Sequence, residues 1–238
     1  MCLKLEMLSD EKYYNNKKFY KITYGLHLPE SNMSSQIIPV YFKKYYCPRN
    51  NYDDDKLKSA QLELLEFRNF IYEFKEGSNI QEGVDIISSM VCQILDNNEK
   101  ENIVFIPIPA SSKEKTEQRL KEFSESVAKK MGCVDGYGIF YNKKYRKPIR
   151  YGGIDLTESN FNEYIGINES KCDVLKEKDI ILFDDIITKG NSLKLYSAKL
   201  KKMGANNIIG VFFGRTYNPR FQIILNNIGE MYDKRGII

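Results

Sequence analysis

Two adjacent carboxylates followed closely by small polar residues form the stretch of this chain whose residue types and spacing suit chemistry. Asp184 and Asp185 leave the apolar run 180–183 (IILF). After Ile186 and Ile187 come Thr188, Lys189, Gly190, Asn191 and Ser192, opening onto a helical pattern. Ionised carboxylates accept hydroxyl hydrogens and ligate hard cations. Backbone N–H groups at a helix N-terminus, together with the helix dipole, favour an anion. Thr188 and Ser192 add hydroxyls, and Gly190 lets the backbone come close to a ligand. The combination suits one phosphate group with two carboxylates upstream.

Three readings compete. A phosphate loop of the nucleotide-hydrolase kind needs Gly-x-x-x-x-Gly-Lys-Ser/Thr, which the sequence lacks. A receiver-type acidic cluster would put its carboxylates after the first strand with no phosphate cradle behind them. An Asp-rich turn that merely caps a helix is the plain structural alternative.

The elements that must position these residues follow from hydrophobic patterning. Residues 103–108 (IVFIPI) form a continuous apolar run, as in a strand buried on both faces. The run stops at Pro109, and Ser111 with Glu114 reads as a capping box for the next helix. That helix carries Leu120, Phe123, Val127 and Met131 on one face and closes at Gly132. Residues 180–183 read as a second strand, 191–203 as a helix stopped by Gly204, and 208–213 (IIGVFF) as a third strand. Strand, helix, strand, helix, strand at these lengths predicts an α/β fold, a parallel sheet flanked by helices with right-handed crossovers. Ligands of such sheets bind at the carboxyl ends of strands, here just after Ile108, Phe183 and Phe213.

Before this core, residues 18–28 (KFYKITYGLHL) and 36–46 (QIIPVYFKKYY) predict a β-hairpin around the polar turn 29–35. From Tyr52 the spacing of Leu57, Leu62, Leu65, Phe70 and Phe74 is helical, ending at Gly77, and 84–95 reads as a second helix. The chain thus divides into residues 1–98, a hairpin with helices, and 99–238, the core with a C-terminal tail.

Composition bounds the classes. Hydrophobic residues are 42% of the 238, so a packed core is expected. Lys and Arg number 36 against 32 Asp and Glu, too mild an excess for the basic stripe of a nucleic-acid binder. Cys2, Cys47, Cys92, Cys133 and Cys172 lie far apart, and His27 is the single histidine. That predicts free thiols in a reducing cytoplasm rather than a zinc site, with His27 a surface or packed residue. The N-terminal stretch shows no apolar run of a signal peptide or membrane span, so a cytoplasmic protein is expected.

The segment FDDIITKGNSL (183–193) resembles the phosphoribosyl pyrophosphate (PRPP) signature of type I phosphoribosyltransferases: apolar strand, two acidic residues, two apolar residues, Thr, any residue, Gly, then small polar residues. The resemblance implies that Asp184 and Asp185 take the ribose hydroxyls and that Thr188, Lys189, Gly190, Asn191 and Ser192 take the 5′-phosphate. IVFIPIPASS (103–112) is similar to that family's strand and pyrophosphate loop, which implies a pyrophosphate role for Ala110, Ser111 and Ser112. More narrowly, residues 117–128 (EQRLKEFSESVA), 68–77 (RNFIYEFKEG) and 213–216 (FGRT) resemble the ComF branch. Of that branch's Arg-Gly-aromatic-Asn-Gln motif only Arg119 matches, with Leu120 in place of the glycine. Its N-terminal zinc module is also missing, since Cys47 alone lies in that region. The likeness spans residues 102–217.

What the resemblance implies is a transferase binding PRPP and Mg²⁺, with Asp184 and Asp185 near the metal, that passes phosphoribosyl to a nitrogenous acceptor and releases pyrophosphate. Residues 141–168 would be the family's mobile closing loop, with Lys147 and Arg150 contacting pyrophosphate and Gly152-Gly153 permitting movement; Lys143, Lys144 and Arg146 belong to the same basic run. Residues 1–98 would act as hood and as a dimer or partner surface, the acceptor lying between the aromatic hairpin and Arg215 and Tyr217. Two non-catalytic alternatives stay open, a PRPP-sensing regulator and a phosphoribosyltransferase-like subunit of a nucleic-acid-associated assembly.

Overall fold

The three continuous apolar runs become adjacent strands because residues apolar on both faces must be covered by layers on both sides. The computed structural model describes residues 4–14, 19–27, 36–48, 62–95, 100–147 and 152–216. In chain order these form β1 (Lys4–Tyr14), β2 (Phe19–His27), β3 (Gln36–Tyr46), α1 (Leu62–Lys75), α2 (Ile80–Ile94), β4 (Ile103–Pro107) and α3 (Lys113–Met131). There follow β5 (Val134–Asp135), β6 (Phe140–Asn142), α4 (Phe161–Tyr164), β7 (Ile165–Ile167), β8 (Asp179–Ile187), α5 (Asn191–Lys202) and β9 (Ile208–Thr216). The expected turn 29–35 and the position Leu57 lie outside the described residues.

One seven-stranded sheet has the order β1-β2-β3-β9-β8-β4-β5. The pairs β3·β9, β9·β8, β8·β4 and β4·β5 are parallel, whereas β2 runs antiparallel to both β1 and β3. The hairpin read from sequence is the β2–β3 pair, with Ile22 opposite Val40. It joins the sheet strand to strand through β9, so the part expected as a hood continues the sheet in its own plane. The strand β1 escaped the sequence reading because its residues, KLEMLSDEKYY, alternate poorly and carry charges in mid-run.

Alternation along each strand feeds two cores. On one face, Phe105, Phe183, Val211 and Phe213 of the sheet meet Phe70 and Phe74 of α1, Val84 and Ile87 of α2, and Phe123 and Val127 of α3. Phe123 sits at the centre of an aromatic cluster, 4.7 Å from Phe183 and 5.1 Å from Phe74 between ring centroids. On the other face, Ile22, Val40, Ile106, Leu182 and Phe212 pack with Leu193 and Tyr196 of α5. Among the described residues, no helix is long and apolar enough to cross a membrane.

Two local expectations change. The N-cap of α3 is Ser112, whose hydroxyl accepts from Lys115 N, so the cap lies one residue later than Ser111. Ser111 instead turns its carbonyl to Arg146 N at 2.9 Å. Residues 141–168, expected as a loop, contribute an antiparallel ribbon, β6 with β7, and the helical turn α4. Phe161, Tyr164 and Ile165 are buried in the α5-side core, and that burial organises residues 152–168 despite their polar composition.

Candidate active site

The strand β8 does not end at Phe183 but continues to Ile187, so Asp184 and Asp185 are strand residues. Successive side chains of a strand point to opposite faces, and the two neighbours accordingly part company. Leu182 belongs to the α5-side core and Phe183 to the three-helix core. Asp184 follows Leu182, and Asp185 follows Phe183.

Asp185 is held from the three-helix side. Arg119 of α3 approaches its Oδ2 at 2.8 Å, and Lys75 of α1 its Oδ1 at 3.5 Å. The Asp185 and Arg119 side chains are only 13% and 11% exposed, so this is a nearly buried ion triad. Burial alone would push the Asp185 carboxyl up, but Lys75 and Arg119 more than offset it and hold it below the usual carboxylate range. Arg119, matched in sequence to a motif of no stated role, thus proves to be the partner of the second carboxylate.

Asp184 faces a cavity of about 530 Å³. Burial, and then the negative charge of Asp185, push its carboxyl up to about 7. Its Oδ1 accepts the Asp185 backbone N–H at 2.9 Å, which fixes its direction. Thr188, Lys189, Gly190, Asn191 and Ser192 line the same cavity. Gly190 is the N-cap of α5 at φ +76°, a left-handed conformation that only glycine adopts without strain. The Thr188 hydroxyl lies 2.7 Å from that of Thr216, tying the loop to the end of β9. The first carboxylate and the whole anion loop are therefore brought together as the sequence suggested.

The cavity wall also includes Arg146 and Asp155. Arg146 Nε is buried with no hydrogen-bond partner among the described residues. The Tyr196 hydroxyl, on α5, is buried and unpartnered as well. Burial pushes that phenol far up; the nearby charge of Arg146 acts the other way and that of Asp184 adds to the rise. Asp155 accepts Asn191 Nδ2 at 2.9 Å, bracing the start of α5. Arg146 belongs to the basic run of the sequence, in which Lys147 and Arg150 are the expected anion contacts. Lys147 is exposed and does not line the cavity, and Arg150 lies outside the described residues. The signal that singles out Arg146 is its backbone bond to Ser111, which no sequence pattern displays.

The remaining expected residues stand at the margins. Ala110, Ser111 and Ser112 do not line the cavity wall; Ala110 N is 3.0 Å from Thr116 Oγ1, and the stretch reaches the cavity through Arg146. Arg215 pairs in register with Ile187 on β8 and with Tyr45 on β3, beyond the cavity lining. Tyr217 lies outside the described residues. Among the described residues no group of three or more His, Cys, Asp or Glu side chains could hold a metal.

No family model matches the chain, and no curated protein matches it.

Proposed function

We propose that the chain is a phosphoribosyltransferase of the type I fold, binding PRPP in the Asp184 cavity. The observation that carries the reading is the convergence on one cavity of Asp184, the Thr188-to-Ser192 turn at the start of α5, and Arg146, whose buried Nε has no hydrogen-bond partner among the described residues. In this reading the Asp184 carboxylate accepts the ribose hydroxyl hydrogens. The backbone N–H groups and hydroxyls of the turn receive the 5′-phosphate, and the Arg146 guanidinium faces the diphosphate.

Magnesium is held by one or two carboxylates plus substrate phosphates rather than by an all-protein cage. Of the adjacent pair, the cavity-facing Asp184 fits that role, and Asp185 does not, because Arg119 and Lys75 already occupy it; the other carboxylate of the wall, Asp155, accepts from Asn191. When bound, the ion would neutralise charge on the diphosphate. Loss of pyrophosphate leaves positive charge on the sugar ring, which an ionised Asp184 would stabilise across the cavity. The cavity volume suits a ligand of this size, and the acceptor would be a nitrogenous small molecule.

A second reading, PRPP sensing without turnover, is favoured by the same ion triad, since it withdraws Asp185, one of the two carboxylates expected to serve catalysis. One experiment separates the two readings. Pyrophosphate release is measured from PRPP with Mg²⁺ across nucleobases and small amines, beside the thermal shift caused by PRPP. Release abolished by Asp184→Asn supports the transferase. A thermal shift without release supports the sensor. Neither shift nor release at millimolar PRPP would refute both.

A further inference from the structure

A second cavity, of about 500 Å³, shares no lining residue with the first. Its wall includes Tyr137, Tyr141, Lys113, Lys143, Thr116 and Glu117. Tyr141 on β6 stands directly opposite Gly166 on β7. A Cβ at position 166 would come within 2.6 Å of Tyr141 Cε1 and Cε2, and closer still to Cζ. The ring therefore lies flat on the glycine backbone, held on one side, while the residue remains 44% exposed. A tyrosine ring supported on one face and open on the other is a stacking platform for a planar group.

Charge at the cavity completes the description of its ligand. Lys113 and Lys143 contribute two cations against the one carboxylate of Glu117. Lys113 is 71% exposed and meets Glu117 only at 4.0 Å. Lys143 Nζ donates to the Asn162 carbonyl at 2.9 Å, which aims its stem and leaves further N–H donors. The floor is rigid, because Thr116 Oγ1 lies 2.8 Å from Asn142 Oδ1 and Asn142 Nδ2 donates to the Ala110 carbonyl at 2.8 Å.

We propose that this cavity is a separate binding site for a planar aromatic anion, the ring stacking on Tyr141 and the anionic group meeting Lys113 and Lys143. A nucleoside monophosphate and a heteroaromatic carboxylate share that chemistry. The proposal stands independently of the reading of the Asp184 cavity.

Isothermal titration calorimetry of the full chain tests it with four probes: AMP, nicotinate, adenosine (ring without anion) and ribose 5-phosphate (anion without ring). AMP or nicotinate should bind, and which of them binds distinguishes the two sources. Adenosine should bind on the order of tenfold more weakly, and so should ribose 5-phosphate at this cavity, read as the part of its binding that the lysine double variant removes. Tyr141→Phe should keep the affinity, and Tyr141→Ala should lower it on the order of tenfold or more. The double variant Lys113→Glu, Lys143→Glu changes exposed side chains and keeps the test open should Tyr141→Ala not fold; it should lose anion preference. The proposal is overturned if neither AMP nor nicotinate binds at millimolar concentration. It is equally overturned if affinity is unchanged in the lysine double variant, or if it falls with Asp184→Asn and not with the Tyr141 or lysine changes.

Discussion

Replacing Arg119 by Met is the sharpest physical test of the divided carboxylate pair. The substitution keeps an unbranched stem on α3 but removes the guanidinium that meets Asp185 Oδ2 at 2.8 Å. Removing one partner of a buried ion pair costs about 3–5 kcal/mol, because the other charge is left buried without compensation. Asp185 is 13% exposed and keeps Lys75 at 3.5 Å, so the lower end applies, about 3 kcal/mol. For a chain of this size that corresponds to a fall in Tm of about 6–12 °C. Lys75→Met should cost less, about 1 kcal/mol, since Lys75 is 27% exposed and the more distant partner. Adding Asp185→Leu to Arg119→Met should restore much of the loss, because the stranded charge goes with it. Urea unfolding followed by circular dichroism, with unchanged m-values, reads all three. If Arg119→Met cost under about 1 kcal/mol, or no more than Lys75→Met, the ion triad would not govern Asp185 and the reasoning would fail.

Two further outcomes follow from the cavity side. Asp184 has its pKa raised in the folded state, so its contribution to stability is fully present below the unfolded-state value and is lost as pH rises toward about 7. Asp184→Asn should flatten the decline of ligand-free stability between the ordinary carboxylate range and about pH 7, as measured by urea midpoints across pH; parallel pH profiles for both proteins would contradict it. Gly190→Ala should destabilise by about 1–2 kcal/mol through left-handed strain at φ +76° and weaken anion binding beyond that loss, which calorimetry with PRPP would measure.

Much of the positioning framework was legible from residue patterns, and the reasons are specific. The runs giving β4, β8 and β9 have apolar residues on both faces, so burial between layers was readable without knowing the partners. Gly132 and Gly204 mark where α3 and α5 stop. The ribbon β6–β7 was hidden because its strands have three residues each and its buried anchors Phe161, Tyr164 and Ile165 are diluted by polar neighbours. In the site, Asp184 and the anion loop are contiguous in sequence and were found together. The fate of Asp185 was not readable, because it depends on whether β8 continues past Phe183, and two carboxylates suggest a strand's end. The pairing of Asp184 with Phe212, of Ile186 with Gly214 and of Ile187 with Arg215 carries the strand on.

The parallel pairing of β3 with β9 has a consequence for the birth of the chain. Gln36 on β3 donates a side-chain hydrogen bond to the Asn206 carbonyl, 170 residues further on, beside the start of β9. On a ribosome the β2–β3 hairpin emerges well before the edge it must join, which is made some 170 residues later. At typical elongation rates the hairpin waits about 10–30 s with one edge of β3 unpaired. Such an edge is a template for pairing with other chains, so nascent copies of this protein are expected to call on chaperones most heavily in that interval.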